Sequence, residues 1–199
     1  MKRIFLVLIL VIVAAAAYFL FIRKSDKPGP PEEKQKPVAI GQHTSTFTQS
    51  YSELIAAYTG LKDALVASDT AKASAAALKL AVASDSLKVN EIQGDTSNII
   101  KETAGTYTSM ITSSAKGLAG ESSLTEMRKE FEMIADNLWQ LTRVVKYDGQ
   151  KLFWQYCPMA FNNRGAYWIS SERQVRNPYF GDEMLECGKV ADSLDYSAK

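Results

Sequence analysis

Apolar residues recur at alternating steps of four and three through most of the region between Phe47 and Val145, and that spacing is the signature of amphipathic helices stacked on one another. The first stretch carries Phe47, Tyr51, Leu54, Tyr58, Leu61 and Leu65 on one face. Ser68-Asp69 stops it and supplies the N-cap of a second, alanine-rich helix, whose inward residues are expected to be Ala71, Ala75, Leu78 and Val82. Beyond a polar connection from Asp85 to Gly94, Asp95 or Thr96 can cap a third helix with Ile100, Ala104, Tyr107, Ile111, Ala115 and Leu118 inward, ended by Gly120. Ser123 followed three residues later by Glu126 is a capping-box pattern, and it opens the most regular helix, with Met127, Phe131, Ile134, Leu138, Leu141 and Val145 on its face. Four helices of this length with short connections predict a mainly α fold, an antiparallel up-and-down four-helix bundle.

Two segments precede the bundle. Residues Ile4 to Ile22 form an unbroken run of 19 apolar or aromatic residues between Lys2-Arg3 and Arg23-Lys24, about the length that crosses roughly 30 Å of hydrocarbon. A cleaved signal peptide has a shorter apolar core, so residues 1–24 are expected to be an uncleaved membrane helix with the rest of the chain outside the cytoplasm. Residues 25–42 hold four prolines and several charges, the composition of a semi-extended spacer. The folded domain is then expected over 43–192.

After Asp148-Gly149 the chain turns to β-formers. Leu152 to Tyr156 and Ala166 to Ile169 flank Asn162-Asn163-Arg164-Gly165, which predicts a small hairpin with a positive φ at Gly165. Asn177-Pro178-Tyr179-Phe180-Gly181 is a second turn, and the tail after Val190 is expected to fray. This segment, 150–190, holds both cysteines, each close to a methionine: Cys157 with Met159, Cys187 with Met184. If the ends of the segment meet, four sulfur atoms converge.

The formal charge of +1 hides an asymmetry. Setting aside the four basic residues that flank the apolar run, 19 basic residues face 22 acidic ones, with no basic stripe, and nucleic acid is excluded as a partner. No histidine neighbours a nucleophile and no phosphate loop or HExxH pattern occurs, so catalysis is not expected.

The run WQYCPMAFNNRGAYWISSERQVRNPYFGDEMLECGKV, together with YTGLKDALVASD in the first helix, resembles a bacterial family known as domain of unknown function 3347. The resemblance lies at Cys157, Pro158, Met159, Asn162, Asn163, Gly165, Ala166, Trp168, Asn177, Pro178, Tyr179, Gly181, Met184, Cys187 and Gly188. It implies an exported, periplasmic domain and a metal context, because many members are fused behind the periplasmic adaptor subunit of copper and silver efflux pumps. On this reading the chain is expected to carry an anchor and spacer in place of adaptor domains.

Three readings of the cysteine segment stand side by side. Thiolate and thioether are soft ligands that select Cu(I) or Ag(I), which makes Cys157, Met159, Met184 and Cys187 a candidate metal site, with His43, the only histidine, as a further possible ligand. Two cysteines in an exported chain equally predict a Cys157–Cys187 disulfide, worth roughly 3–4 kcal/mol for a loop of about 30 residues. The third reading is an interaction module that docks on a membrane complex through Tyr179 and Phe180; a packed turn is the simpler account of those two rings.

Overall fold

Thr44 turns its hydroxyl onto the amide of Phe47 (3.1 Å), and from that cap the first helix, α1, runs over Ser45–Val66. The computed structural model describes residues 43–197, together with Ala16 and Tyr18. The expected membrane helix and spacer therefore lie outside the described residues. Among the described residues no helix is long and apolar enough to cross a membrane.

All six residues expected on the inner face of α1 are buried. Ser68 takes a positive φ that ends the chain's first pass, and Asp69 accepts from the amide of Lys72 (2.9 Å) to start α2, Thr70–Asp85. Here the expected face is wrong. Ala73, Ala77, Leu80, Ala81 and Ser84 turn inward, whereas Leu78 and Val82 are 52% and 69% exposed and Ala71 and Ala75 are exposed too. The helix is apolar nearly all round, so two faces fit the helical period and packing chose between them. Ser74 Oγ donates to the carbonyl of Ala119 (2.8 Å) and Ser84 Oγ to that of Thr108 (3.0 Å), bonds that need the backbones close together. Small side chains permit that approach; Leu78 and Val82 on the same face would hold the helices apart.

The third helix, α3, covers Ile99–Gly120. Its N-cap, Asn98, is left-handed and makes no side-chain cap bond; Asp95 reaches in from further back, its Oδ2 accepting from the amide of Lys101 (2.9 Å). Of the expected inward residues only Tyr107 is merely half-buried. The fourth helix, α4, is Leu124–Val145, and all six expected residues are buried. Ser123 stands at its N-cap without a side-chain bond, so the expected capping box is not formed; Glu126 instead meets Lys129 Nζ at 2.7 Å, one turn along.

Two pairs of helices run antiparallel. The Ser74–Ala119 and Ser84–Thr108 bonds set α2 against α3 head to tail, and Tyr51 Oη with Thr142 Oγ1 (2.8 Å) and the Tyr58–Phe131 ring stack (5.3 Å) do the same for α1 and α4. The α1–α4 seam is aromatic, extended by Tyr147 stacked on Tyr51 at 4.3 Å.

Beyond α4 the fold adds a small antiparallel sheet. Strands β1, Leu152–Cys157, and β2, Ala166–Ser170, form the expected hairpin, joined through the short element α5, Ala160–Asn163, and Gly165 has φ +82°. A third strand, β3, Lys189–Leu194, pairs with the other edge of β1, giving the order β2-β1-β3 with a bulge between Trp154 and Gln155. The tail expected to fray is thus a strand as far as Leu194. Its sequence, KVADSL, has no alternation of buried and exposed positions to announce it; ladder bonds to the free edge of β1 hold it instead.

The sheet docks on α4 and α1. Trp154 stacks on Trp139 at 4.8 Å, and Tyr58 Oη accepts from the amide of Ile169 (3.1 Å). Arg128 on α4 fastens the following loop, its Nε donating to the carbonyl of Pro178 (2.9 Å) and its Nη2 to Ser68 Oγ (3.2 Å). Gly181, at φ +62°, lets that loop touch the α1–α2 turn: a Cβ there would stand 2.6 Å from the carbonyl oxygen of Val66.

A pair of leucines separates core from surface. Leu138, fully buried on α4, is expected to cost about 2–5 kcal/mol when replaced by Ala, while Leu78→Ala stays within about 0.5 kcal/mol. Urea denaturation of both variants checks this, and a large loss at Leu78 would return α2 to the orientation expected from its larger side chains.

Candidate functional site: the cysteine pair

Strand β1 reads LFWQYC, and its alternation sends Trp154 and Tyr156 to one side and Gln155 and Cys157 to the other. Cys157, at the end of the strand and opposite Ala166 of β2, is fully buried. Cys187 arrives from the far end of the segment, two residues before β3 begins. Gly188 is what lets it come close. With φ +147°, its Cα lies against β1, where a Cβ would stand 2.8 Å from the carbonyl oxygen of Tyr156 and 3.0 Å from the Trp168 ring. Pairing of Lys189 with Tyr156 continues the approach, and the Sγ atoms of Cys157 and Cys187 lie 3.1 Å apart. The two sulfurs are in contact without a bond between them.

The loop between is built on Asn177. Its Nδ2 donates to the carbonyl of Cys187 (2.9 Å), its Oδ1 accepts from the amide of Tyr179 (2.8 Å), and its own amide donates to the carbonyl of Leu185 (2.8 Å). Gln155, beneath the sheet, donates its Nε2 toward the carbonyls of Glu172, Arg173 and Gln174 at 3.0–3.2 Å and so ties down the start of the same loop. The turn expected at Asn177-Pro178 is thus a buried anchor, and Gln155 carries no local signal of its role. An asparagine directly before a proline fits an exposed turn just as well, and burial is what separates the two roles.

Electrostatically Cys187 is held in its protonated form. The hydrogen bond with Cys157, and after it burial, push the Cys187 thiol from 9.0 up to about 11. A thiol whose folded value is raised contributes stability below its unfolded value, and that contribution is lost as pH rises from about 9 through about 11. A soft ion that takes both sulfurs as thiolates displaces these protons, so its affinity rises with pH.

The methionines differ from the cysteines in exposure. Met159 follows β1 and is 43% exposed; Met184 ends the Gly181–Glu183 turn and is 37% exposed, its carbonyl accepting from the Cys187 amide (3.0 Å). Each stays within three residues of its cysteine in the chain. Among the described residues no three His, Cys, Asp or Glu side chains come together, so the sulfur pair has no harder ligands beside it.

His43 is occupied elsewhere. Its Nε2 pairs with the carbonyl of Val145 (2.6 Å) and its ring packs on Phe47 (4.5 Å), at the C-terminal end of α4. Arg164, next to the hairpin end that holds Cys157, pairs with Glu132, which lies 13 residues back along α4, or about 20 Å at 1.5 Å per residue. The histidine therefore stands apart from the thiols. Tyr179 is buried among Phe131, Phe161 and Trp168, with its hydroxyl donating to the carbonyl of Tyr167, and Phe180 is half-buried; these rings form a packed turn rather than an exposed docking patch.

The helical part of this arrangement has relatives. Residues 54–149 match a family described as a protein of unknown function (DUF3347). The helical domain belongs to that family. The DUF3347 match begins within α1 and ends just past α4, before β1 opens the cysteine segment. No curated protein and no solved structure matches the chain.

Proposed function

We propose that this chain is a membrane-anchored periplasmic domain, an up-and-down four-helix bundle that carries a site for Cu(I) or Ag(I) at Cys157 and Cys187 and serves a heavy-metal efflux complex without catalysing a reaction. The observation that carries the reading is the 3.1 Å contact between two sulfurs brought from opposite ends of a 30-residue segment. Thiolates in such contact are soft donors suited to a monovalent soft ion, and the exposed thioethers of Met159 and Met184 are further soft donors near them in the chain. The apolar run Ile4–Ile22 supports the anchor, with Lys2 and Arg3 on the cytoplasmic side. The same sulfur contact favours a second reading, in which the oxidised pair is a structural cystine of an interaction module on a membrane complex.

Anaerobic competition titration against a chromogenic Cu(I) chelator separates the two. The reduced protein is expected to take up a single Cu(I), and Cys157→Ser with Cys187→Ser to abolish uptake. Replacing Met159 and Met184 together by leucine changes stability by less than about 1.5 kcal/mol yet weakens Cu(I) binding by far more. Full Cu(I) affinity in the serine double variant would remove the metal reading, and full affinity in the leucine variant would return the methionines to packing.

A further inference from the structure

We infer that Asn177 is the positioning residue of the cysteine pair, setting how closely the Cys187 thiol is held to that of Cys157. Its side chain is wholly buried, and none of its polar groups is spare. The amide Nδ2 holds the carbonyl of Cys187 at 2.9 Å, while Oδ1 holds the amide of Tyr179 at 2.8 Å. Its main chain bonds Leu185 on one side and Gly181 on the other, at 2.8 and 3.0 Å. One residue thus closes both arms of the loop from Asn177 to Cys187. Arg128 anchors the outgoing arm through the carbonyl of Pro178. Among the described residues the returning arm has no such bond from α4; between Leu185 and β3 it is held by Asn177, the Met184–Cys187 turn bond and the seat of Gly188 on Tyr156. Of these, only the Asn177 bond grips the residue that carries the thiol from outside its own turn.

The inference rests on the reading of Cys157 and Cys187 as the working site, but its test contains no metal. In a glutathione buffer one thiolate attacks glutathione disulfide and expels a glutathione thiolate. The second then attacks the mixed disulfide, forming Cys157–Cys187 and expelling another. Two protein thiols are oxidised, one glutathione disulfide is reduced to two glutathione thiols, and the protons pass to those thiols through solvent. The equilibrium constant measures the effective concentration of one protein thiol at the other.

Measured on the full chain, Asn177→Ala is expected to lower that constant at least about tenfold, a rise of about 30 mV in potential for a two-electron couple, with helix content unchanged. Asn177→Asp keeps an acceptor for the Tyr179 amide and loses the donor to the Cys187 carbonyl, and it is expected to shift the constant in the same direction. Leu138→Ala, which weakens the bundle away from the loop, should leave the constant where it is in the parent chain. An unchanged constant in both Asn177 variants, or an equal shift in Leu138→Ala, overturns the assignment. A chain that bound no Cu(I) would still return the expected result, so the two readings fail separately.

Discussion

Titrated above pH 10, the protein is expected to unfold in one cooperative step that exposes the phenols of Tyr51, Tyr58 and Tyr179 together. Burial is the main cause that holds all three above their ordinary 10.0, outweighing the hydrogen bonds that Tyr51 and Tyr58 make to Thr142 and Ile169. Tyr147 is raised in the same sense and chiefly by burial. In each case the folded value lies above the unfolded one. The stability these groups contribute is therefore complete below about pH 10 and falls as pH rises beyond it. Each phenol that ionises only on unfolding removes about 1.4 kcal/mol per pH unit, so three remove about 4. Against a typical net stability of about 5–15 kcal/mol, the midpoint is expected between about pH 11 and 14. Far-UV circular dichroism and tyrosinate absorbance should change at the same pH. Full tyrosinate absorbance with helicity intact would show that these phenols reach solvent in the folded chain. The reduced protein also begins to lose stability from about pH 9 as the raised Cys187 thiol enters the balance; a cystine has no proton to lose and lacks that early limb.

Replacing Phe131 by alanine is expected to cost about 3–5 kcal/mol and to loosen the sheet more than the helices. The ring is fully buried, stacks on Tyr58 at 5.3 Å and tilts against Tyr179 at 5.8 Å. Tyr58 in turn holds the amide of Ile169 in β2, and Tyr179 holds the carbonyl of Tyr167. Loss of the ring leaves a cavity where α1, α4 and the C-terminal segment meet, and each aromatic pair lost adds about 0.5–1.5 kcal/mol. Urea denaturation gives the global cost, and amide exchange at Ile169 gives the local one. A cost under about 1 kcal/mol with Ile169 still protected would mean that the bundle and the sheet hold together without this ring.

Local pattern specifies some helices of this chain more sharply than others. In α1 and α4, large apolar residues stand against polar ones, so only one face can be buried, and Phe47 to Leu65 and Met127 to Val145 lie inward as their spacing implies. In α2 that contrast is missing, and the close approach to α3 selected the alanine face. The Ser123–Glu126 pattern failed as a capping box because Glu126 pairs with Lys129. The two cysteines and their neighbouring methionines were evident as a candidate set, yet nothing in their spacing showed which sulfurs are buried and which exposed.

The sequence by itself determined the four helices, the hairpin and the presence of soft donors at both ends of one segment, because these follow from local periodicity, turn chemistry and residue type. Tertiary structure alone decided which face of α2 is inside, that KVADSL is a strand, that His43 is bonded to Val145, and that Cys187 meets Cys157. Each of those depends on a partner distant in the chain: a neighbouring helix backbone, a free strand edge, a helix-end carbonyl, or an asparagine and a glycine that seat a loop. Local sequence carries no record of how near such a partner will come.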